Sequence, residues 1–117
     1  MIFIVDDDDA TRDSLRLLVE CEGFETRDFA SGRPFLDAVQ PADGDCLILD
    51  VNMPGMDGYE VLAAIRREGI PTRVLLLTAR QKEGDILQGF YMGADDYLIK
   101  PFNPMELTAR LKRLLPR

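Results

Sequence analysis

The chain has 117 residues, long enough to bury roughly 65% of its unfolded surface as one domain and too short for a second. Fourteen Lys and Arg against 21 Asp and Glu leave a net charge of −7, the wrong sign for a nucleic-acid surface. No stretch approaches the roughly 18 apolar residues of a membrane span, and the absence of histidine excludes a serine–histidine pair and a histidine-based zinc site.

Short apolar runs alternate with stretches of helical period. Residues 2–5 read as a first strand and lead directly into Asp6, Asp7, Asp8 and Asp9. So brief a run before four aspartates is unlike a signal peptide, and a soluble, cytoplasmic protein is expected. Asp8 or Asp9 suits a helix cap, and residues 11–21 carry Leu15, Leu18 and Val19 on one face of a helix stopped by Gly23. Residues 24–28 alternate as a shorter strand, expected at a sheet edge. Ser31 is positioned to cap a helix through Phe35, Leu36 and Val39 to a break at Pro41.

Residues 46–49 form an apolar central strand that ends at Asp50. The helix over 57–67 turns Val61, Leu62 and Ile65 inward and is followed by a turn at 69–71. Residues 74–77 are the most apolar strand and therefore central. The helix over 83–92 contains Gly84 and Gly89, each costing about 1 kcal/mol relative to alanine. A fifth strand at 97–99 precedes a fifth helix at 104–115, with Leu107, Leu111 and Leu114 inward. Cys21 and Cys46 lie in apolar stretches without metal or redox spacing and read as core thiols.

Five strand-then-helix repeats with apolar central strands require a parallel sheet covered on both faces. The flavodoxin-like order 2-1-3-4-5 fits best, although local pattern alone does not fix strand order. One domain over 1–117 is expected, with no repeat or linker. In such a sheet Asp6 to Asp9 and Asp50 emerge at the C-terminal edge, where these folds hold ligands. Carboxylates gathered there repel one another unless a cation sits among them. Oxygen donors suit magnesium, with manganese as the alternative: Asp7 and Asp50 bind directly and Asp6 holds a coordinated water.

A carboxylate on a rigid strand end can act as nucleophile toward phosphorus once a cation neutralises the phosphoryl oxygens. Thr78 after the fourth strand offers a hydroxyl, and Lys100 after the fifth offers an ammonium, so metal, hydroxyl and ammonium surround one phosphoryl group. Neither a GxxxxGK[ST] loop nor a GxGxxG turn is present, which argues against nucleotide binding.

The segments Ile4-Val5-Asp6-Asp7-Asp8, Leu49-Asp50 with Met53-Pro54-Gly55-Met56-Asp57-Gly58, Leu77-Thr78-Ala79 and Gly93-Ala94-Asp95-Asp96-Tyr97-Leu98-Ile99-Lys100-Pro101-Phe102 together resemble the receiver domain of bacterial two-component response regulators. The resemblance covers essentially the whole chain. It implies a signalling switch rather than an enzyme, in which Asp50 takes a phosphoryl group from the phosphohistidine of a sensor histidine kinase or phosphotransfer protein. It further implies Mg²⁺ held by Asp7, Asp50 and the backbone carbonyl of Asn52, with Asp6 acting through water. Thr78 and Lys100 would hold the phosphoryl oxygens, Tyr97 would be the aromatic switch, and the Lys100-Pro101 peptide is expected to be cis.

The resemblance extends to output. Residues 104–110 are similar to the last helix of receivers that precede winged-helix DNA-binding domains, where Asp96 and Arg110 pair across a dimer of the fourth helix, fifth strand and fifth helix. Ile86 and Met92 replace a basic and an acidic residue usual there and remove one cross-dimer ion pair. Arg12-Asp13-Ser14-Leu15 and Phe29-Ala30-Ser31 look more like receivers joined to helix-turn-helix domains. The domain itself is expected to contact neither nucleic acid nor membrane. Arg80 and Asn52 lie where the access of hydrolytic water is tuned.

Other classes fit less well. A phosphohydrolase with an aspartyl nucleophile needs a second acid two residues on, where this chain has Asn52. A flavodoxin-like flavin protein would set four aspartates against the flavin phosphate. An inert interaction module would not need the full set of active-site residues.

Overall fold

A computed structural model describes residues 1–40, 45–79 and 83–115. Five strands, β1 (Ile2–Val5), β2 (Thr26–Phe29), β3 (Cys46–Asp50), β4 (Arg73–Thr78) and β5 (Asp96–Ile99), alternate with helices α1 (Asp9–Cys21), α2 (Gly32–Ala38), α3 (Gly58–Arg67), α4 (Glu83–Tyr91) and α5 (Pro104–Leu114). The sheet is parallel throughout, in the order β2-β1-β3-β4-β5. This is the flavodoxin-like three-layer arrangement expected from the sequence.

The strand period of two divides the core between the faces. Ile2, Ile4, Cys46, Ile48, Leu75 and Leu77 pack with Leu15 and Val19 of α1 and with Leu107 and Leu111 of α5. Phe3, Val5, Leu47, Leu49, Val74 and Leu76 point to the other face, against Phe35 of α2 and Val61, Leu62 and Ile65 of α3. Apolar side chains on both sides explain why the central strands read as continuous hydrophobic runs. β2 lies at the edge and is the most polar strand.

Local chemistry sets the helix ends near the functional edge. Asp8 is the cap of α1 and its carboxylate accepts from the Thr11 amide at 2.9 Å. Asp57 and Glu60 form a reciprocal capping box at α3, each carboxylate accepting from the other's backbone N–H. Asn103 caps α5 ahead of Pro104, whose fixed φ suits the first helical position. Gly23 at φ +91° ends α1 in the left-handed region, as its position predicted.

Three expectations need correction. Cys21 is exposed: it follows the buried Val19 by two residues, about 200° around the helix, and so faces away from the sheet. Only Cys46 is a core thiol. Ser31 has the extended backbone of a cap but makes no side-chain capping bond. Val39 leaves the helix with an extended backbone, although its side chain stays buried. Pro41 and Arg80 lie outside the described residues.

α4 forms despite its two glycines. A Cβ on Gly89 would come within 2.8 Å of Leu76 Cδ1, so the missing side chain lets the helix approach β4 closely. Among the described residues no helix is long and apolar enough to cross a membrane.

Candidate functional site

The C-terminal edge of the sheet gathers the acids. Asp6 follows β1, and its amide continues the β1–β2 pairing by donating to the Phe29 carbonyl at 3.1 Å. Its Oδ1 accepts from the Asp8 amide at 2.9 Å, which turns the chain into α1. Asp50 is the last residue of β3, opposite Leu77, and the next amide, Val51, donates to the Leu77 carbonyl at 2.9 Å. Asp6 and Asp50 are buried and Asp7 is exposed, yet one carboxylate oxygen from each lies within 4.8 Å of the others.

Lys100 follows β5 and reaches across the edge. Its ammonium lies 3.2 Å from Asp6 Oδ2 and 3.1 Å from Asp50 Oδ1. Burial and the charge of Asp6 raise the Asp50 carboxyl from its ordinary 3.8 to about 6, with Lys100 only partly offsetting them. Burial works against the Lys100 ammonium, but the charges of Asp6 and Asp50 outweigh it and lift its pKa above the ordinary lysine value. Asp8, by contrast, titrates below the usual carboxylate range because the Thr11 hydroxyl and amide both donate to it. It serves the helix end rather than the cluster.

The donor set fits a small hard dication. Among the described residues three carboxylates and no nitrogen or sulfur ligand converge, and one of them resists ionisation while Asp6 is its neighbour. Magnesium takes few protein oxygens and keeps several waters, which an open edge with one exposed acid allows.

Of the other sequence-selected residues, Thr78 and Asn52 occupy the same edge, while Tyr97 and Asp96 lie further back along β5. Thr78 ends β4 rather than following it, with its side chain buried, and the Lys100 amide donates to its carbonyl at 2.8 Å. Asn52 is exposed, and its amide donates to Asp50 Oδ1 at 3.3 Å. The loop beyond turns at Gly55, φ +79°. The Lys100-Pro101 peptide is cis, as expected. Tyr97 is half-buried two residues before the end of β5, its ring edge-on to Phe90 with centroids 5.7 Å apart and 6.0 Å from the Arg110 guanidinium carbon. Asp96 is buried and binds Arg110 through both oxygens, at 2.8 and 3.0 Å, and also pairs with Arg113. The pairing expected across a dimer is thus closed within one chain.

Two contributors were not singled out from sequence for these roles. A Cβ on Gly58 would lie 2.5 Å from the Asp50 carbonyl oxygen and 2.8 Å from Val51 Cα, so α3 starts directly against the backbone of Asp50. Arg12 bridges the end of β1 to its surroundings. The i, i+3 spacing of Asp9 and Arg12 signals one of its bonds; of the others, the one to Asp6 spans six residues and the one to Asp28 on β2 spans sixteen.

A family model described as the response regulator receiver domain matches residues 2–112. The chain belongs to that family. Receivers of known structure superpose over nearly all of it. The chemotaxis protein CheY4 of Vibrio cholerae is 35% identical with a TM-score of 0.89, covering 97% of each chain. A putative response regulator from Chloroflexus aurantiacus is 40% identical, also at 0.89, covering 99% of this chain and 97% of its own. The BeF3-activated DrrB receiver domain is 36% identical at 0.89, with the same coverage. The transcriptional regulatory protein SrrA of Staphylococcus aureus is 39% identical over 116 residues. Those residues are 99% of this chain but 48% of SrrA, so the chain spans about half the length of that relative.

As a receiver domain it is a phosphoacceptor module of two-component signalling, not an enzyme with its own turnover. Family membership supports interaction with a cognate sensor histidine kinase or phosphotransfer protein, and the acidic triad supports a Mg²⁺-binding phosphorylation site of the kind receivers carry.

Proposed function

We propose that Asp50 is the phosphoacceptor and that the domain works as a switch read on α4, β5 and α5. The observation that carries this reading is the single ammonium of Lys100 bonded to both Asp6 and Asp50 at the edge of the sheet. Asp7, Asp50 and the main-chain carbonyl of Asn52 would hold the cation, with Asp6 acting through water, and when bound it would neutralise phosphoryl oxygens. One Asp50 oxygen forms a bond to phosphorus as the bond from phosphorus to the donor's imidazole nitrogen breaks. Lys100 then turns from the Asp50 carboxylate to a phosphoryl oxygen, and the Thr78 hydroxyl donates to another.

Thr78 is drawn toward the phosphoryl group, and the Tyr97 ring moves into the space it leaves. That movement gives up the edge contact with Phe90 and changes the environment of Arg110. The altered face contacts a second copy of the domain or an output domain. A homodimer through α4, β5 and α5 requires Asp96 and Arg110 to exchange their intrachain pairing for a pairing across the interface. By analogy with SrrA, the output is transcriptional regulation in the cytoplasm, exerted by a segment other than residues 1–117, which act as one receiver.

Intact mass after incubation with acetyl phosphate and Mg²⁺ tests the reading. The wild type is expected to gain one phosphoryl group. Asp50→Asn and a metal-free sample are expected to gain none, and a modification that survives in Asp50→Asn overturns the assignment.

A further inference from the structure

The Arg12 side chain is only 14% exposed, and each of its three guanidinium nitrogens donates a hydrogen bond. Nη1 donates to the main-chain carbonyl of Asp6 at 2.8 Å, Nε to Asp28 Oδ2 on β2 at 3.0 Å, and Nη2 to Asp9 Oδ1 at the start of α1 at 2.6 Å. The Asp6 carbonyl belongs to the peptide plane that joins Asp6 to Asp7. That plane is rigid, so holding its oxygen fixes the directions in which both residues leave it. Asp28 lies beside Ile4 in the sheet register, which ties the fork to the strand pair rather than to the turn itself. The Asp6 side chain is fixed separately by the Asp8 amide, but among the described hydrogen bonds the Asp6 carbonyl is held by Arg12.

We propose that Arg12 is a positioning residue for the divalent cation, locking the Asp6–Asp7 peptide so that both carboxylates converge on Asp50. The proposal rests on the reading of Asp6, Asp7 and Asp50 as the metal site. Lysine cannot replace the fork, because a single ammonium cannot reach three acceptors with fixed planar geometry.

Charge alone predicts the opposite behaviour. A guanidinium near a dication site repels the incoming ion, so its removal as a mere charge tightens binding. The test is the Mg²⁺ dissociation constant at fixed ionic strength, read from backbone amide NMR shifts, for the wild type, Arg12→Lys, Arg12→Gln and Asp7→Asn. Thermal unfolding and spectral dispersion check that each variant is folded, and Arg12→Lys keeps the charge and stem if Arg12→Gln does not fold. Loss of an outer partner of a metal ligand commonly weakens affinity about 10-fold or more, and both Arg12 variants are expected to show that loss. Wild-type affinity in Arg12→Lys, or tighter binding in Arg12→Gln, overturns the proposal. Asp7→Asn separates the underlying reading: wild-type Mg²⁺ affinity in that variant overturns the metal assignment and with it the role of Arg12.

Discussion

Asp50 is costly to keep charged in its own fold. Its carboxyl is raised from 3.8 to about 6 by burial and by Asp6, so the native state holds that proton more tightly than the unfolded chain. For a carboxyl shifted upward, stability is lost as pH rises through this window and is recovered below the unfolded value. Asp50→Asn is therefore expected to be more stable than the metal-free wild type above pH 6, by about 1 to 2 kcal/mol after allowance for solvent screening. The difference should vanish below the unfolded value of 3.8. Denaturant titrations at the two extremes of pH check this; equal stabilities at pH 8 would mean that Lys100 already neutralises the acid completely. Added Mg²⁺ should stabilise the wild type and leave the variant unchanged.

At the scale of elements, two glycines that look alike in sequence have different structural neighbours. A Cβ on Gly58 meets the backbone of Asp50 and Val51, which cannot yield without moving β3. Gly58→Ala is expected to cost about 2 to 3 kcal/mol and to slow phosphorylation, because overpacking is relieved only by displacing the strand end. A Cβ on Gly89 meets the tip of the Leu76 side chain. There a rotamer change and the gain in helix propensity, up to about 1 kcal/mol, nearly cancel, so Gly89→Ala should lie close to wild type. Thermal unfolding of the two variants side by side reads the contrast. The order and type of all ten elements were legible because their hydrophobic periods are distinct and their ends carry Gly, Pro or capping residues. Tertiary approach was not: nothing local distinguishes Gly58 pressed on a backbone from Gly89 facing a side chain, or turns Cys21 outward except its angle from Val19.

Across the molecule, the site is legible where chemistry follows a strand end. Asp6, Asp7, Asp50, Thr78 and Lys100 share the C-terminal edge because parallel strands end together. The fork of Arg12 and the intrachain closure of Asp96 on Arg110 and Arg113 depend on side-chain reach between distant segments, which spacing does not encode. The proposed switch also belongs to this scale, since it links the end of β4 to the face of α4, β5 and α5. Thr78→Ala should still accept a phosphoryl group at Asp50 but fail to move Tyr97. Tyrosine ring NMR signals before and after BeF3 or acetyl phosphate distinguish the cases, and a wild-type Tyr97 response in the variant removes Thr78 from the switch. A ligand or modification shifts a population from 1:99 to 99:1 only with about 5.5 kcal/mol of preference for one state, so partial coupling gives a graded Tyr97 response.

The bond of Lys100 to Asp6 and Asp50 makes the domain its own tenant. A dication at these acids would compete with a resident ammonium instead of filling a vacancy, so the apparent affinity for magnesium would be the difference between two ionic contacts. The fold accordingly retains a neutralising charge at its acids when magnesium is scarce. The same ammonium is tethered beside Asp50, ready for the phosphoryl oxygens that would arrive there.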